Sequence, residues 1–422
     1  MKAVLLLSNG HGEDLSAASL GCALRDRGIA VEALPLVGRG QAYHQVGIPV
    51  IGPTRDFSTG GLGYTSLKAR LTDLREGQFT YVLQLLVRLW RQRRSIRLVI
   101  AVGDLVPLLG AWLSGREHVI YLVAYSSHYE GRLRLPWPCG WLLRRPRLKA
   151  IWSRDQLTAD DLTSQLSRPV RFLGNPFLDP LLQAMAPEPG ARPTAEGEPR
   201  LTVAVLPGSR VPEALGNLGL LLEVLGRLPR GARRPEPRLR AALVGALQPE
   251  AIAAVAGPLG WRLEQPPPGA APEAGGSTLV RDGRRLDLHW GAFAAVLADS
   301  DLVLAMSGTA SEQAVALARP VLQLAGPGPQ FTAGFAEAQR RLLGPGVICA
   351  PGPVGDPATL TATAERLAAM LDRLADPQAG PLWRRELEAI AAERLGDAGG
   401  SSRMAAAIMD LLAAGPTPSS QR

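Results

Sequence analysis

The sequence predicts an α/β protein of two parallel-sheet domains with a cleft between them. Three observations carry this. Short apolar runs alternate with helical patterns through residues 1–183. Residues 187–199 (PEPGARPTAEGEP) then break the pattern with almost no large apolar side chain. The alternation restarts at Thr202. Strand–helix alternation marks a parallel sheet with crossover helices. A chain of 422 residues is long enough for two or three such cores.

In the first domain the expected strands cover 3–7, 31–35, 98–102, 119–123, 150–152 and 170–173, with helices between them, notably 14–26 and 81–94. In the second they cover 202–206, 240–244, 302–305 and 321–324. Helices start near Glu213, Pro249 and Ser311. Segments 231–237 and 266–276 read as surface insertions, and 356–414 as a helical tail. The domain expectation is therefore 1–183, a linker over 184–200, and a second domain over 201–380. Helices over 381–414 can pack back on the first domain.

Composition removes several classes. With 46% hydrophobic and 20% charged residues the chain is an ordinary globular one, not a disordered one. Cys22, Cys139 and Cys349 are scattered, with no CxxC pair or Cys/His cluster. That argues against a disulfide framework or a structural zinc site and for a reducing compartment. The apolar start is too short for a signal-peptide core and fits a buried first strand. The longest apolar stretch, 98–113, contains Asp104 and Pro107 and changes period, so it reads as strand, turn and helix rather than a membrane span.

The net charge of +8 is concentrated. Residues 88–149 hold 12 basic and 3 acidic residues and four of the eight tryptophans: Trp90, Trp112, Trp137 and Trp141. Aromatic and aliphatic side chains beside arginine suit the headgroup region of an anionic membrane. The other readings are solvated helix faces or a nucleic-acid surface. The chain has no RNP, KH, zinc-finger or helix-turn-helix signature, so no nucleic-acid partner is expected.

Four places carry polar groups where an α/β sheet binds ligands. The first is Ser8-Asn9-Gly10-His11-Gly12-Glu13-Asp14, directly after the first strand. Gly10 and Gly12 allow close approach to the backbone. His11, Glu13 and Asp14 add acid–base capacity at a strand's C-terminal end. The second is Pro207-Gly208-Ser209-Arg210, with Glu213 following. Gly208 and Ser209 offer backbone N–H groups there and Arg210 can grip phosphate oxygens. The third is Ser307-Gly308-Thr309-Ala310-Ser311-Glu312-Gln313, where small residues admit a diphosphate to a helix start. Glu312 or Gln313 could accept from ribose hydroxyls. The fourth is Asp104, ending a strand as a candidate general base. His128 follows another strand and is a candidate for lining the cleft. Each has a bland alternative: a capped turn, a solvent arginine, a loop histidine. His44, His118 and His289 have no supporting pattern.

The run Phe172-Leu173-Gly174-Asn175-Pro176-Phe177-Leu178-Asp179, then Leu206-Pro207-Gly208-Ser209-Arg210, then Ser307 to Val321, resembles lipid-A-disaccharide synthase and its relatives in order and spacing. The likeness covers roughly residues 1–345. Nearest in pattern are the lipid-A-disaccharide-synthase-related proteins, through the Ser8–Asp14 turn and the segment Gly326 to Thr332. The resemblance implies a GT-B fold with two Rossmann-like domains facing a central cleft. It implies an inverting transfer of a hexose or hexosamine from a UDP-sugar, held by the second domain, to a glycolipid-type acceptor. That transfer takes place at the inner face of a membrane, with the enzyme cytoplasmic and peripheral. By this likeness Ser209 and Arg210 meet the diphosphate, and Ser307, Gly308 and Thr309 line it. Glu312 or Gln313 reaches the ribose, and Gln330, Phe331 and Thr332 lie near the sugar. Asp104 and His11 are the catalytic candidates, and Gly10, Gly12, Glu13, Asp14, His128 and Asn175 stand on the acceptor side. No metal or other cofactor is expected, because arginine and helix dipoles can neutralise the diphosphate. Departures from the synthase pattern fall mostly in the first domain, so a different acceptor is expected. The alternatives are a UDP-sugar 2-epimerase or a non-catalytic relative that binds nucleotide sugar and membrane.

Overall fold

The computed structural model describes residues 2–55, 78–184, 200–231, 235–265, 277–328 and 331–414. The expected linker and the insertion over 266–276 lie outside these, apart from the linker's two end residues, as does Gln330. The chain divides into two compact units, Met1–Gln183 with Leu395–Arg422, and Ala184–Arg394.

Unit 1 is a six-stranded parallel sheet of β1 (Ala3–Ser8), β2 (Val31–Pro35), β3 (Ile96–Val102), β4 (His118–Leu122), β5 (Leu148–Ser153) and β6 (Arg171–Phe172), in the order β2-β1-β3-β4-β5-β6. Its strands are near-continuous apolar runs because helices cover both faces. Alternate residues go to opposite sides. Leu5, Leu7, Val99 and Ala101 join one core. Val4, Leu6, Leu98 and Ile100 join the other. That second core also takes Met404, Ala405 and Ile408 of the last helix, Gly400–Ala413.

Asp179 fixes that helix. Its carboxylate accepts from the backbone N–H groups of Gly399 (2.7 Å), Gly400 (3.0 Å) and Ser401 (2.6 Å). Gly399, at the N-cap, has no side chain to do this. A distant aspartate thus caps the helix start. Gly174 makes room: at φ 93° it sits so close to Gly400 that an added Cβ would lie 3.1 Å from the Gly400 Cα.

Unit 2 is an eight-stranded sheet in the order β14-β13-β12-β7-β8-β11-β10-β9. The strands are β7 (Thr202–Leu206), β8 (Arg238–Leu243), β9 (Arg262–Glu264), β10 (Thr278–Arg281), β11 (Arg284–Trp290), β12 (Leu302–Ala305), β13 (Val321–Gln323) and β14 (Val347–Cys349). Strands β14 to β11 pair in parallel. β10 and β9 add an antiparallel edge. The β10–β11 hairpin turns at Asp282 (φ 51°) and Gly283 (φ 78°), the pair of positive φ values a two-residue turn requires.

Both sheets reverse strand order beside their first strand. In unit 1 β1 lies between β2 and β3, and in unit 2 β7 lies between β8 and β12. Such a switch point leaves a crevice at the strands' C-terminal ends, where open α/β sheets bind ligands. Among the described residues no helix is long and apolar enough to cross a membrane.

Candidate functional site

In unit 1 the switch point gathers the polar turn after β1 and the end of β3. Asn9 Nδ2 donates to Asp104 Oδ1 (3.2 Å) and Oδ2 (3.4 Å). Gly103, at φ 137°, lets the two turns close up: a Cβ there would lie 3.4 Å from Glu13 Cγ and 3.8 Å from Asn9 Cβ. Gly10 works in the same way, since a Cβ would meet Glu13 Oε2 at 2.6 Å. The expected neighbours Gly10, Glu13 and Asp104 are therefore in one place, with His11 exposed on the first turn and Gly12 half-exposed beside it.

Asp104 also caps the helix Leu105–Leu113, accepting from Val106 N at 2.8 Å. Burial pushes its carboxyl above the usual range, against the hydrogen bonds from Val106 and Asn9. Asp14 lies deeper, 3% exposed. Ser8 Oγ donates to Asp14 Oδ1 at 2.6 Å and shares a second hydrogen bond with the buried Tyr43 hydroxyl. Burial raises Asp14 to about 7, the Ser8 bond opposes this and the Glu13 charge adds to it. Asp14 therefore stands behind the turn rather than on it.

Two expected acceptor-side residues are placed elsewhere. Asn175 is 1% exposed and its amide is fully engaged. It donates to Arg154 O (3.0 Å) and Leu395 O (2.7 Å) and accepts from the Tyr121 hydroxyl. It ties the chain's last segment into unit 1 and is closed to an acceptor. The ring of His128 is buried 3.8 Å from Asp155 Oδ1. Asp155 itself caps the helix Gln156–Leu166 and accepts from Ser126 Oγ at 2.7 Å. His128 belongs to that structural cluster.

In unit 2 the adjacent strands β7 and β12 end in the two glycine turns, 207–210 and 307–309. Gly208, at φ 106°, packs on the chain after β12: a Cβ would lie 3.3 Å from Met306 O. Ser209, Arg210 and Thr309 are exposed, and Ser307, Glu312 and Gln313 half-buried. The helix Thr309–Ala316 starts at Gly308 with no side-chain cap, so its first N–H groups are open to an anion.

Asn217 and Glu213 hold these turns. Asn217 Nδ2 donates to Pro207 O at 2.9 Å. Glu213 Oε1 accepts from Phe331 N at 3.2 Å, which fixes the returning loop before the helix Ala333–Leu343. Phe331 is 3% exposed, so it supports that loop from inside. The available signal for Asn217 was a polar residue at an apolar position of an otherwise regular helix pattern.

The basic window of unit 1 has a surface of its own. Trp137 is 90% exposed between two prolines, and Trp90 and Trp141 are about half exposed. Arg93 stacks on Trp90 at 4.1 Å and Arg145 on Trp141 at 3.6 Å. The same window lines a groove of about 730 Å³ with Arg132, Arg134 and Arg144, beside Leu133, Leu135 and Leu166. Among the described residues no group of His, Cys, Asp and Glu has the make-up to hold a metal ion.

No family model matches the chain, and no curated protein matches it in sequence. Solved structures do match it along its length. The calicheamicin glycosyltransferase CalG4 is similar at a TM-score of 0.56 and 16% identity, over 98% of this chain and 98% of its own. MurG of Acinetobacter baumannii is similar at 0.52 and 17%, over 97% and 100%. UDP-GlcNAc 2-epimerase of Neisseria meningitidis, bound to UDP-GlcNAc, is similar at 0.50 and 15%, over 98% and 100%. At these identities the likeness shows the fold: two Rossmann-like units of the GT-B type.

Proposed function

We propose that the protein is an inverting glycosyltransferase that moves a hexose or hexosamine from a UDP-sugar to a membrane-associated, glycolipid-type acceptor. The observation that carries this is the pair of glycine turns at the ends of the adjacent strands β7 and β12, the second opening a helix with no side-chain cap, with Arg210 and Thr309 exposed. That arrangement suits a diphosphate. In this reading unit 2 holds the donor. Ser209, Arg210, Ser307, Gly308 and Thr309 bind the diphosphate, Glu312 or Gln313 the ribose, and Gln330 with the Phe331 loop the sugar.

Unit 1 supplies the base. Asp104, oriented by Asn9, or His11 takes the proton of an acceptor hydroxyl. The oxygen then forms a bond to the anomeric carbon as that carbon's bond to the diphosphate breaks. The electron pair leaves with UDP, whose charge Arg210 and the helix start stabilise. No metal is needed for that step. The sequence likeness to lipid-A-disaccharide synthase supports a lipid acceptor, and the exposed Trp137 and stacked Arg–Trp pairs support an anionic membrane surface. It would thus work as a cytoplasmic, peripheral membrane protein.

A UDP-sugar 2-epimerase is the second reading. It is favoured by the acid–base groups that the ends of β1 and β3 bring to one switch point, His11, Glu13 and Asp104, and by the likeness to the Neisseria enzyme. It would convert UDP-GlcNAc with no acceptor present.

Calorimetric titration with UDP, UDP-GlcNAc and UDP-glucose, with and without EDTA, tests the donor site. Binding that survives EDTA is expected, and Arg210→Ala should weaken it by about 1.5–3 kcal/mol, roughly 10- to 150-fold. Unchanged affinity in that variant would remove the phosphate role. For the membrane, the protein should float with anionic liposomes and do so less when Arg91, Arg93 and Arg94 are replaced together. Wild-type protein that stays at the bottom of the gradient rules the surface out.

A further inference from the structure

The start of the helix Thr309–Ala316 has a back wall that the donor-site reading does not use. Gln339, on the helix Ala333–Leu343, is 4% exposed, and its Oε1 is buried with no hydrogen-bond partner among the described residues. Ser307 Oγ, one residue before Gly308, is likewise buried with no partner among the described residues. Buried polar atoms are nearly always paired, and an unpaired one lowers stability. Two such atoms beside an uncapped helix start suit the polar groups of a ligand.

The geometry agrees. Phe335 and Gln339 are four residues apart and so share one face of their helix. Both face Gly308: a Cβ there would lie 3.0 Å from the Phe335 ring and 3.7 Å from Gln339 Nε2. The amide's donor end is thus the end nearest the open helix start. Phe335 is 39% exposed and packs edge-on against Phe331 at 5.5 Å.

We propose that Gln339 is a ligand-binding residue of this site and that Phe335 is its cover. The ligand class is a nucleoside diphosphate. When the ring swings aside, Nε2 donates to a phosphoryl oxygen held at the helix start. Ser307 Oγ donates beside it, and Oε1 accepts from a hydroxyl of the attached sugar. The inference rests on the donor-site reading above and extends it to a residue outside the glycine turns.

The test is UDP affinity and thermal unfolding of Gln339→Met, Gln339→Glu and Phe335→Ala in the full chain. Met matches Gln in size and removes both hydrogen-bonding ends. Gln339→Met should bind UDP about tenfold more weakly, yet melt at the same temperature as wild type or higher, because a buried orphan atom is gone. Gln339→Glu should lose more affinity, since it sets a carboxylate against the diphosphate. Phe335→Ala should bind UDP more tightly, because no ring then has to move off the amide. Wild-type UDP affinity in Gln339→Met would overturn the inference and leave the donor site standing. So would a parallel fall of affinity and melting temperature, which marks a purely structural amide. Wild-type protein that binds no UDP would sink the donor-site reading and this inference with it.

Discussion

Asp104→Asn should lower turnover by roughly 10²- to 10⁴-fold, the usual contribution of a positioned general base, while UDP affinity stays at the wild-type value. The reason is local. Asparagine keeps the shape, and its side-chain oxygen can still cap the helix Leu105–Leu113 through Val106 N. It cannot take a proton. UDP affinity should not move, because the proposed nucleotide contacts all belong to unit 2. The pH profile gives a second readout. A base acts only when deprotonated, and burial pushes the Asp104 carboxyl up. The acidic limb of kcat/KM should therefore lie above the ordinary aspartate range and disappear in the variant. Full activity in Asp104→Asn would pass the role to His11, whose replacement by alanine would then abolish that limb.

Asp179→Ala should destabilise unit 1 by about 3 kcal/mol, as read from urea unfolding. The carboxylate is 3% exposed and accepts three backbone N–H groups. Alanine would leave those donors unpaired and remove a negative charge from a helix start. The consequence reaches the core, because Met404, Ala405 and Ile408 are held in place by that helix. Asp179→Asn, able to accept but uncharged, should recover part of the loss. A loss below about 1 kcal/mol in Asp179→Ala would show that apolar packing alone docks the helix.

Asp179 illustrates the boundary between what is legible in the sequence and what is not. The segment from Phe172 to Asp179 was conspicuous as a motif, and the resemblance pointed to Asn175 as an acceptor-side residue. Its partners lie some 220 residues away, at Leu395 and at Gly399 to Ser401. A contact of that separation leaves no periodic trace, so a structural latch and a substrate contact look alike. The antiparallel edge of unit 2 was missed for a different reason. Asp282-Gly283 is a strong hairpin signal. Its flanks, however, carry Arg281, Arg284 and Arg285, and β11 mixes buried with half-exposed residues instead of showing the continuous apolar run of the parallel strands.

What the sequence determined by itself is the alternation, and with it the parallel sheets and the turns at their ends. Central strands are buried on both faces, so Ala3–Ser8, Thr202–Leu206 and Leu302–Ala305 had to be apolar runs, and the glycine turns follow them directly. What only the tertiary structure decided is which turns become neighbours. Strand order places the end of β1 beside β3, and of β7 beside β12. That order is fixed by how crossover helices pack, a long-range property of the whole unit. It brings Asn9 to Asp104 and Gln339 to Gly308, while side-chain pairing withdraws Asn175 and His128 from solvent.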